Sequence, residues 1–159
     1  MTGQRGQLGM AMLLLSEAVF FFLLILAFVY FRTAGAGNLN LGAGALDTAG
    51  LLASVFSMWR ATTGDRRWLA ITIGLGAAFL IGQGIQYLRL IRDGVTIGQG
   101  LFGTTFFTLA GAHGLHVLVG LVALALVPST AIRAMALYWY FFAGLWLVIF
   151  LVAYVGNTA

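Results

Sequence analysis

The chain has 159 residues, of which only 12 carry a formal charge: eight arginines and four acidic residues. Hydrophobic residues make up 62% and the mean hydropathy is +1.03. A soluble domain is about a quarter charged and needs a polar exterior, so this composition excludes a soluble fold and indicates an integral membrane protein. The arginines are scattered and form no basic face for nucleic acid. The lack of cysteine excludes disulfides, thiolate metal sites and iron–sulfur clusters.

Long stretches without charge predict five membrane-spanning helices, because a bilayer core of about 30 Å takes roughly 20 apolar residues. The second span is the shortest, so either its helix begins earlier and includes residues 41–45, or it depends on neighbouring helices to cover its ends. We therefore predict an all-α, polytopic membrane protein: one domain, residues 1–159, folded as a five-transmembrane-helix bundle. In chain order the predicted spans are about 8–32, 46–61, 67–91, 100–127 and 133–156.

The breaks between spans carry turn and capping residues. Asp47 or Thr48 is expected to cap the second helix, and residues 62–65 offer caps between the second and third. Asp93-Gly94 predicts a turn after the third span. Residues 128–130, Pro-Ser-Thr, are expected to end the fourth helix and to cap the fifth.

Arginine placement predicts the orientation. Five arginines fall on the side of the amino terminus and three on the other, which favours an N-terminus inside and a C-terminus outside. The first group is Arg5, Arg60, Arg66, Arg67 and Arg133, and the second is Arg32, Arg89 and Arg92.

Small residues at four-residue spacing predict where helices pack closely, since lipid supplies no hydrophobic drive between helices. The third span carries Gly74, Ala78 and Gly82, and the fourth carries Gly111 and Gly114. The second span has a similar stripe at Ala49, Ala53 and Ser57.

Glu17 is expected to be the one charged residue within the lipid, about 14 Å into the first span. A carboxylate at that depth costs roughly 2.5–3.5 kcal/mol on insertion scales, so it must be neutralised or paired. Two interpretations remain open. Glu17 either exchanges protons, or it is a protonated acid whose hydrogen bond fixes the packing.

The fourth span contains His113 and His116, three residues apart and so on roughly the same side of the helix. His116 lies at a depth close to that of Glu17, which makes a contact between them geometrically possible. A haem or copper site would need further ligands that this chain lacks, so a structural histidine pair is favoured. Gln83 and Gln86 lie in the third span, where Gln83 could reach His113 or make a packing hydrogen bond.

With these residues in view, the chain resembles subunit III of the haem-copper respiratory oxidases, in its short five-helix form. The resemblance covers about residues 8–156. It is carried by residues 16–22 (SEAVFFF), 51–54 (LLAS), 103–107 (GTTFF), 111–117 (GAHGLHV) and 138–141 (YWYF) with Trp146. Glu17 matches the buried glutamate of that family, and His113 and His116 match its histidine motif. Gln86 stands where the family usually has glutamate, Tyr140 where it has histidine, and Ala143 where it has aspartate, so most of its acid–base groups are absent.

The resemblance implies a non-catalytic accessory subunit of a terminal oxidase in an aerobic respiratory chain. It would stabilise the haem-bearing catalytic subunit I and tune proton uptake or oxygen access. No cofactor is expected in this chain, haem and copper are expected in partner subunits, and bound phospholipid is compatible with the family. The location implied is the prokaryotic plasma (inner) membrane. Alternatives are a subunit III homologue of nitric-oxide reductase and, from another class, a proton-coupled small-molecule exporter that uses Glu17.

Overall fold

The computed structural model describes residues 2–31, 39–98 and 100–156, with side chains from residue 6 onward. Within these ranges every regular element is helical. A 3₁₀ turn, Ser129–Ala131, precedes the fifth helix, and a π-helical turn, Leu151–Val155, extends it. All five helices are long and apolar enough to cross a bilayer, which confirms the predicted five-helix membrane fold. The helices are α1 (Thr2–Phe31), α2 (Leu41–Thr62), α3 (Arg67–Arg92), α4 (Leu101–Leu126) and α5 (Ile132–Phe150).

Helix α2 differs most from its predicted bounds. It begins at Leu41, so it takes the missing length from residues 41–45. The side chain of Asn40 caps it by accepting a hydrogen bond from the backbone N–H of Ala43 at 3.0 Å. The prediction that Asp47 or Thr48 caps this helix is therefore wrong, since both lie in its second turn. The charge of Asp47 accordingly lies within the helix and not at its end.

The remaining turns follow the sequence in part. The Asp65 carboxylate accepts from the backbone N–H of Arg67 at 3.0 Å, and Gly94 adopts the left-handed conformation expected after Asp93 (φ +83°). Ser129, however, does not cap α5. Its hydroxyl accepts from the guanidinium of Arg66 at 2.9 Å, because a 3₁₀ turn separates it from the helix.

Helices α4 and α5 each pack against three others: α5 against α1, α2 and α4, and α4 against α1, α3 and α5. Helix α3 also packs against α2. Trp146 lies in the middle of this core, with its ring centroid 4.8 Å from that of Phe79. Among the five helices, α1 buries the smallest share of its residues, so most of its surface faces the surroundings of the bundle. We call the end where α3 ends and where α2 and α4 begin the Arg89 end.

The predicted packing stripes are largely wrong. Gly74 and Ala78 are exposed, as are Ala49 and Ala53, and a Cβ atom on Gly74 or Gly111 would meet nothing within 4 Å. Gly82 does face a neighbour, the carboxylate of Asp47, and Gly114 faces Leu80; Ser57 is buried. The spacing defines a face of a helix, but it does not say whether a neighbouring helix lies there. Besides Gly82, the close approaches to a side chain are at Gly44, Gly76 and Gly120, where an added Cβ would lie within 3 Å of a side-chain atom.

Candidate functional site

Glu17 and His116 contact each other between α1 and α4. Glu17 Oε2 lies 3.2 Å from His116 Nε2, and the two side chains are 22% and 24% exposed. The depth counted from the sequence therefore agrees with the contact. The adjacency of α1 and α4, which brings the two side chains together, comes from the structure alone.

The hydrogen bonds of His116 determine how many protons this pair holds. Its Nδ1 lies 2.8 Å from the backbone carbonyl of Ala112. A carbonyl can only accept, so Nδ1 carries a proton and donates it. A hydrogen bond between His116 Nε2 and the carboxyl group of Glu17 then requires one further proton, on either the nitrogen or the oxygen. In either position the pair is neutral overall, which suits an apolar surrounding.

Aromatic side chains enclose the inner face of the pair. The ring of Phe142 stacks on His116 at a centroid distance of 4.8 Å, and Phe21 meets the same imidazole edge-on at 5.2 Å. Tyr138 donates its hydroxyl to the backbone carbonyl of His116 at 2.8 Å. These contacts hold the imidazole in place, while the outer face of the pair stays open.

His113 belongs to a different environment. It is fully buried, and its Nε2 donates to the backbone carbonyl of Phe142 at 2.9 Å. Its ring packs against Phe79 and Trp146, and its Nδ1 has no hydrogen-bond partner among the described residues. The two histidines therefore do not face the same side: His113 points into the core and His116 points toward α1.

A second polar cluster, which the sequence interpretation missed, joins α2, α3 and the π-helical turn. Asp47 Oδ2 accepts hydrogen bonds from the amide nitrogens of Gln83 and Gln86, at 3.0 and 2.9 Å. Tyr154 donates its hydroxyl to Gln86 Oε1 at 2.9 Å. Of the two possibilities considered for Gln83, the structure therefore has the packing hydrogen bond, made to Asp47, and not the contact with His113. Although residue 86 is a glutamine, a carboxyl group does lie beside it, because Asp47 of the neighbouring helix α2 supplies one.

Buried hydroxyl groups connect the helices elsewhere in the core. Two tryptophans of α5 donate to hydroxyls of α2, and α2 and α3 share a hydroxyl pair. Such bonds stabilise membrane helices by about 0.6 kcal/mol on average. The three bonds are Trp139 Nε1 to Ser54 Oγ at 3.0 Å, Trp146 Nε1 to Thr48 Oγ1 at 3.0 Å, and Ser57 Oγ with Thr72 Oγ1 at 2.8 Å.

Trp146→Phe is expected to lower the free energy of unfolding by about 0.6–1.7 kcal/mol through the lost hydrogen bond, with a further loss from the smaller ring. Denaturant unfolding of the full chain in mixed micelles measures the change. Trp59→Phe is the matched control, because Trp59 is 51% exposed at the surface. Equal losses in the two variants would contradict a special role for the Trp146–Thr48 bond.

The histidines of this chain do not fit a haem or copper site. Both nitrogens of His116 are engaged, one with Ala112 and one with Glu17. His113 offers only Nδ1, which is enclosed by packed aromatic rings. Among the described residues, no group of three or more His, Cys, Asp or Glu side chains could hold a metal ion.

Comparison with known proteins places the chain in a family, although no protein-family model matches it. It is 35% identical to cytochrome c oxidase subunit 3 of Corynebacterium diphtheriae, over 76% of this chain and 68% of the relative. It is 32% identical to a probable cytochrome c oxidase subunit 3 of Nocardia farcinica, over 87% and 82%. It is also 27% identical to cytochrome bo(3) ubiquinol oxidase subunit 3 of Pseudomonas putida, over 96% and 86%. With its five apolar helices, the chain therefore belongs to the subunit III family of cytochrome c and quinol oxidases.

Proposed function

We propose that the chain is a non-catalytic accessory subunit of a haem-copper terminal oxidase, and that the Glu17–His116 pair is its proton-handling site. The family relationship supports the accessory role. The observation that carries the proton-handling role is the 3.2 Å contact of Glu17 Oε2 with His116 Nε2, the ring nitrogen that is not engaged with the Ala112 carbonyl. Because Nδ1 is committed to a carbonyl, only the bond between Nε2 and Glu17 holds a proton that can be released or replaced.

The position of the pair supports this role. Glu17 and His116 line an open groove of about 240 Å³, whose walls include Leu13, Leu115 and Val119. An acid in an apolar, partly open groove can meet a polar group of a partner or a water molecule, whereas a fully enclosed acid cannot. Exchange of the shared proton therefore needs no rearrangement of the helices.

We propose that the oxidase reaction takes place in other subunits of the complex and not in this chain. Haem and copper belong to the catalytic subunit I, against which this bundle packs in the plasma membrane of a prokaryote, with the N-terminus inside and the C-terminus outside. The contribution of this chain is to stabilise that subunit and to tune its proton uptake or oxygen access. The surface of α1, the least buried of the five helices, is compatible with a neighbour in such a complex.

Co-purification tests the accessory role. An affinity tag on this chain, with mild solubilisation of native membranes, is expected to recover haem-containing subunits, visible as reduced-minus-oxidised absorption bands. The purified complex is expected to consume oxygen. A chain that elutes without haem would overturn the proposal and favour the exporter, and consumption of nitric oxide in place of oxygen would favour the reductase.

Glu17→Gln in the intact complex tests the proton-handling role. Glutamine keeps a hydrogen bond to His116 but has no exchangeable acid proton, so packing is retained while proton exchange is lost. We expect several-fold slower proton uptake and a shorter active lifetime during turnover. Ser16→Ala is the matched control, because the Ser16 hydroxyl bonds only within α1, to the carbonyl of Leu13. If Glu17→Gln leaves proton uptake and lifetime unchanged, the pair has a packing role alone.

A further inference from the structure

Beside Asp47 lies a buried acceptor that nothing in the described structure satisfies. Gln83 is 4% exposed, and its Oε1 has no hydrogen-bond partner, although its Nε2 donates to Asp47 Oδ2 at 3.0 Å. A buried polar atom left without a partner costs about 1–3 kcal/mol. The cluster therefore lacks one hydrogen-bond donor for Gln83 Oε1, and the side chain that the Gln83 amide already binds is that of Asp47.

We propose that Asp47 is a proton-binding site, in which the carboxyl group holds its proton against the Gln83 amide and exchanges it with water at the Arg89 end. This site is distinct from the Glu17–His116 pair, which lies between α1 and α4, whereas Asp47 lies between α2 and α3. The inference does not rest on the role proposed for Glu17, and either can fail without the other.

The chemistry of a carboxylic acid beside a primary amide supports the neutral form. The amide N–H donates to one carboxyl oxygen, and the acid O–H can donate to the amide oxygen, so that two hydrogen bonds close a ring. An ionised Asp47 supplies only acceptors, which leaves Gln83 Oε1 unsatisfied. Protonation adds one H⁺ from water to the free carboxyl oxygen, and release returns it to water; no other bond forms or breaks.

A metal cation fits the same position poorly. Cations such as Ca²⁺ take six to eight oxygen ligands. Here two amide N–H groups point at Asp47 Oδ2, and Gln86 Oε1 already accepts from Tyr154. Few oxygens remain free, so the donors around Asp47 suit a carboxyl group and not a coordinated ion.

The charged and titratable groups around the cluster of Asp47, Gln83 and Gln86 come from two of the elements packed against α2. Helix α3 contributes Arg89 and Asp93, which line a cavity that reaches Gln86. The π-helical turn contributes Tyr154. Helix α5 meets this part of α2 through the indole of Trp146, which does not titrate. Among the described side chains, no basic group lies within 4 Å of the Asp47 carboxylate, so no salt bridge holds it in the charged form.

A cavity provides the route for exchange. It has a volume of about 150 Å³ and reaches from the Arg89 end of the bundle to Gln86, which binds Asp47 directly. Gln86 lies six residues before the end of α3, so the cavity spans about 9 Å along the helix axis. Its walls are polar as well as apolar, which suits water. The lining residues are Leu39, Asn40, Gln86, Arg89, Leu90 and Asp93.

Solid-state NMR of the full chain in phospholipid bilayers tests the protonation state. The chain has three aspartates, Asp47, Asp65 and Asp93, so labelling the aspartate carboxyl carbon with ¹³C yields three signals. At pH 7 we expect one signal at the position of a neutral acid, and we expect Asp47→Asn to remove it. A carboxylate signal for Asp47 at pH 7 would overturn the proposal. A shift of that signal with sodium concentration at constant pH would also overturn it, in favour of a cation site.

Infrared spectroscopy tests the exchange route. In a Glu17→Gln background, the carbonyl band of the neutral acid is expected to shift when the bilayers are transferred to D₂O. Leu39→Trp, which narrows the cavity, is expected to slow this shift several-fold while the NMR signal of the neutral acid is retained. An acid band that never responds to D₂O, or that responds at the same rate in Leu39→Trp, would contradict exchange through this cavity.

Discussion

Gly76→Leu is expected to disrupt the packing of α3 on α4 and α5. A Cβ atom at this position would lie 2.6 Å from the ring of Trp139 and 2.7 Å from a methyl group of Leu121. Trp139 is buried and its indole N–H binds Ser54, so it cannot move without losing that bond. Overpacking a core costs about 1–3 kcal/mol or more, and the bulk of leucine raises this further. Thermal unfolding in mild detergent, followed by size exclusion, measures the loss.

The same helix provides the control. Gly74 lies two residues earlier, and a Cβ atom there would meet nothing within 4 Å. Gly74→Leu introduces the same side chain and the same change in helix propensity on an open face. We expect it to be as stable as the unaltered chain or slightly more stable. Similar losses of stability in the two variants would show that helix propensity, and not contact with Trp139, determines the result.

Asp47→Ala is expected to lower the free energy of unfolding by about 1–3 kcal/mol for each amide that it leaves unpaired. The change removes the acceptor of two hydrogen bonds, from the buried side chains of Gln83 and Gln86. Asp47→Asn has a smaller effect, because its carbonyl oxygen still accepts and its amide group can donate to Gln83 Oε1. Unfolding of both variants in the same micelles measures the difference.

A double variant that swaps the acid and the amide between the two helices extends this comparison. Asp47→Asn combined with Gln86→Glu keeps one acid and one amide at the two hydrogen-bonded positions, but on opposite helices. We expect its stability to lie close to that of the unaltered chain. If Asp47→Asn is as unstable as Asp47→Ala, or if the exchange variant is the least stable, the pairing of acid and amide does not explain the cluster.

The predictions made from the sequence agree best with the structure where only the depth of a residue along its helix matters. Glu17 and His116 were expected at similar depths because each residue of a helix rises by a constant amount. Their contact at 3.2 Å required in addition that α1 and α4 be neighbours. The sequence does not show which helices are neighbours, because apolar side chains can face either lipid or protein.

Asp47 shows how a local rule can mislead. A capping residue was expected between the short second span and the glycine-rich segment before it, and Asp47 was the nearest candidate. The structure extends α2 through Gly42 and Gly44, since the ring of Tyr154 occupies the space that a side chain at Gly44 would need. The glycines are therefore part of a packed helix, and the aspartate becomes a half-buried group within it.

The amino-acid sequence by itself determined the membrane class, the number of spans and the similar depth of Glu17 and His116, because charge is expensive in lipid and helix length is set by bilayer thickness. Only the tertiary structure decided which face of each helix meets a neighbour. Lipid tails are as apolar as a protein core, so hydrophobic residues do not reveal which side points inward. The sequence therefore did not show that Gly76 and not Gly74 lies against Trp139, or that Asp47 rather than His113 binds Gln83.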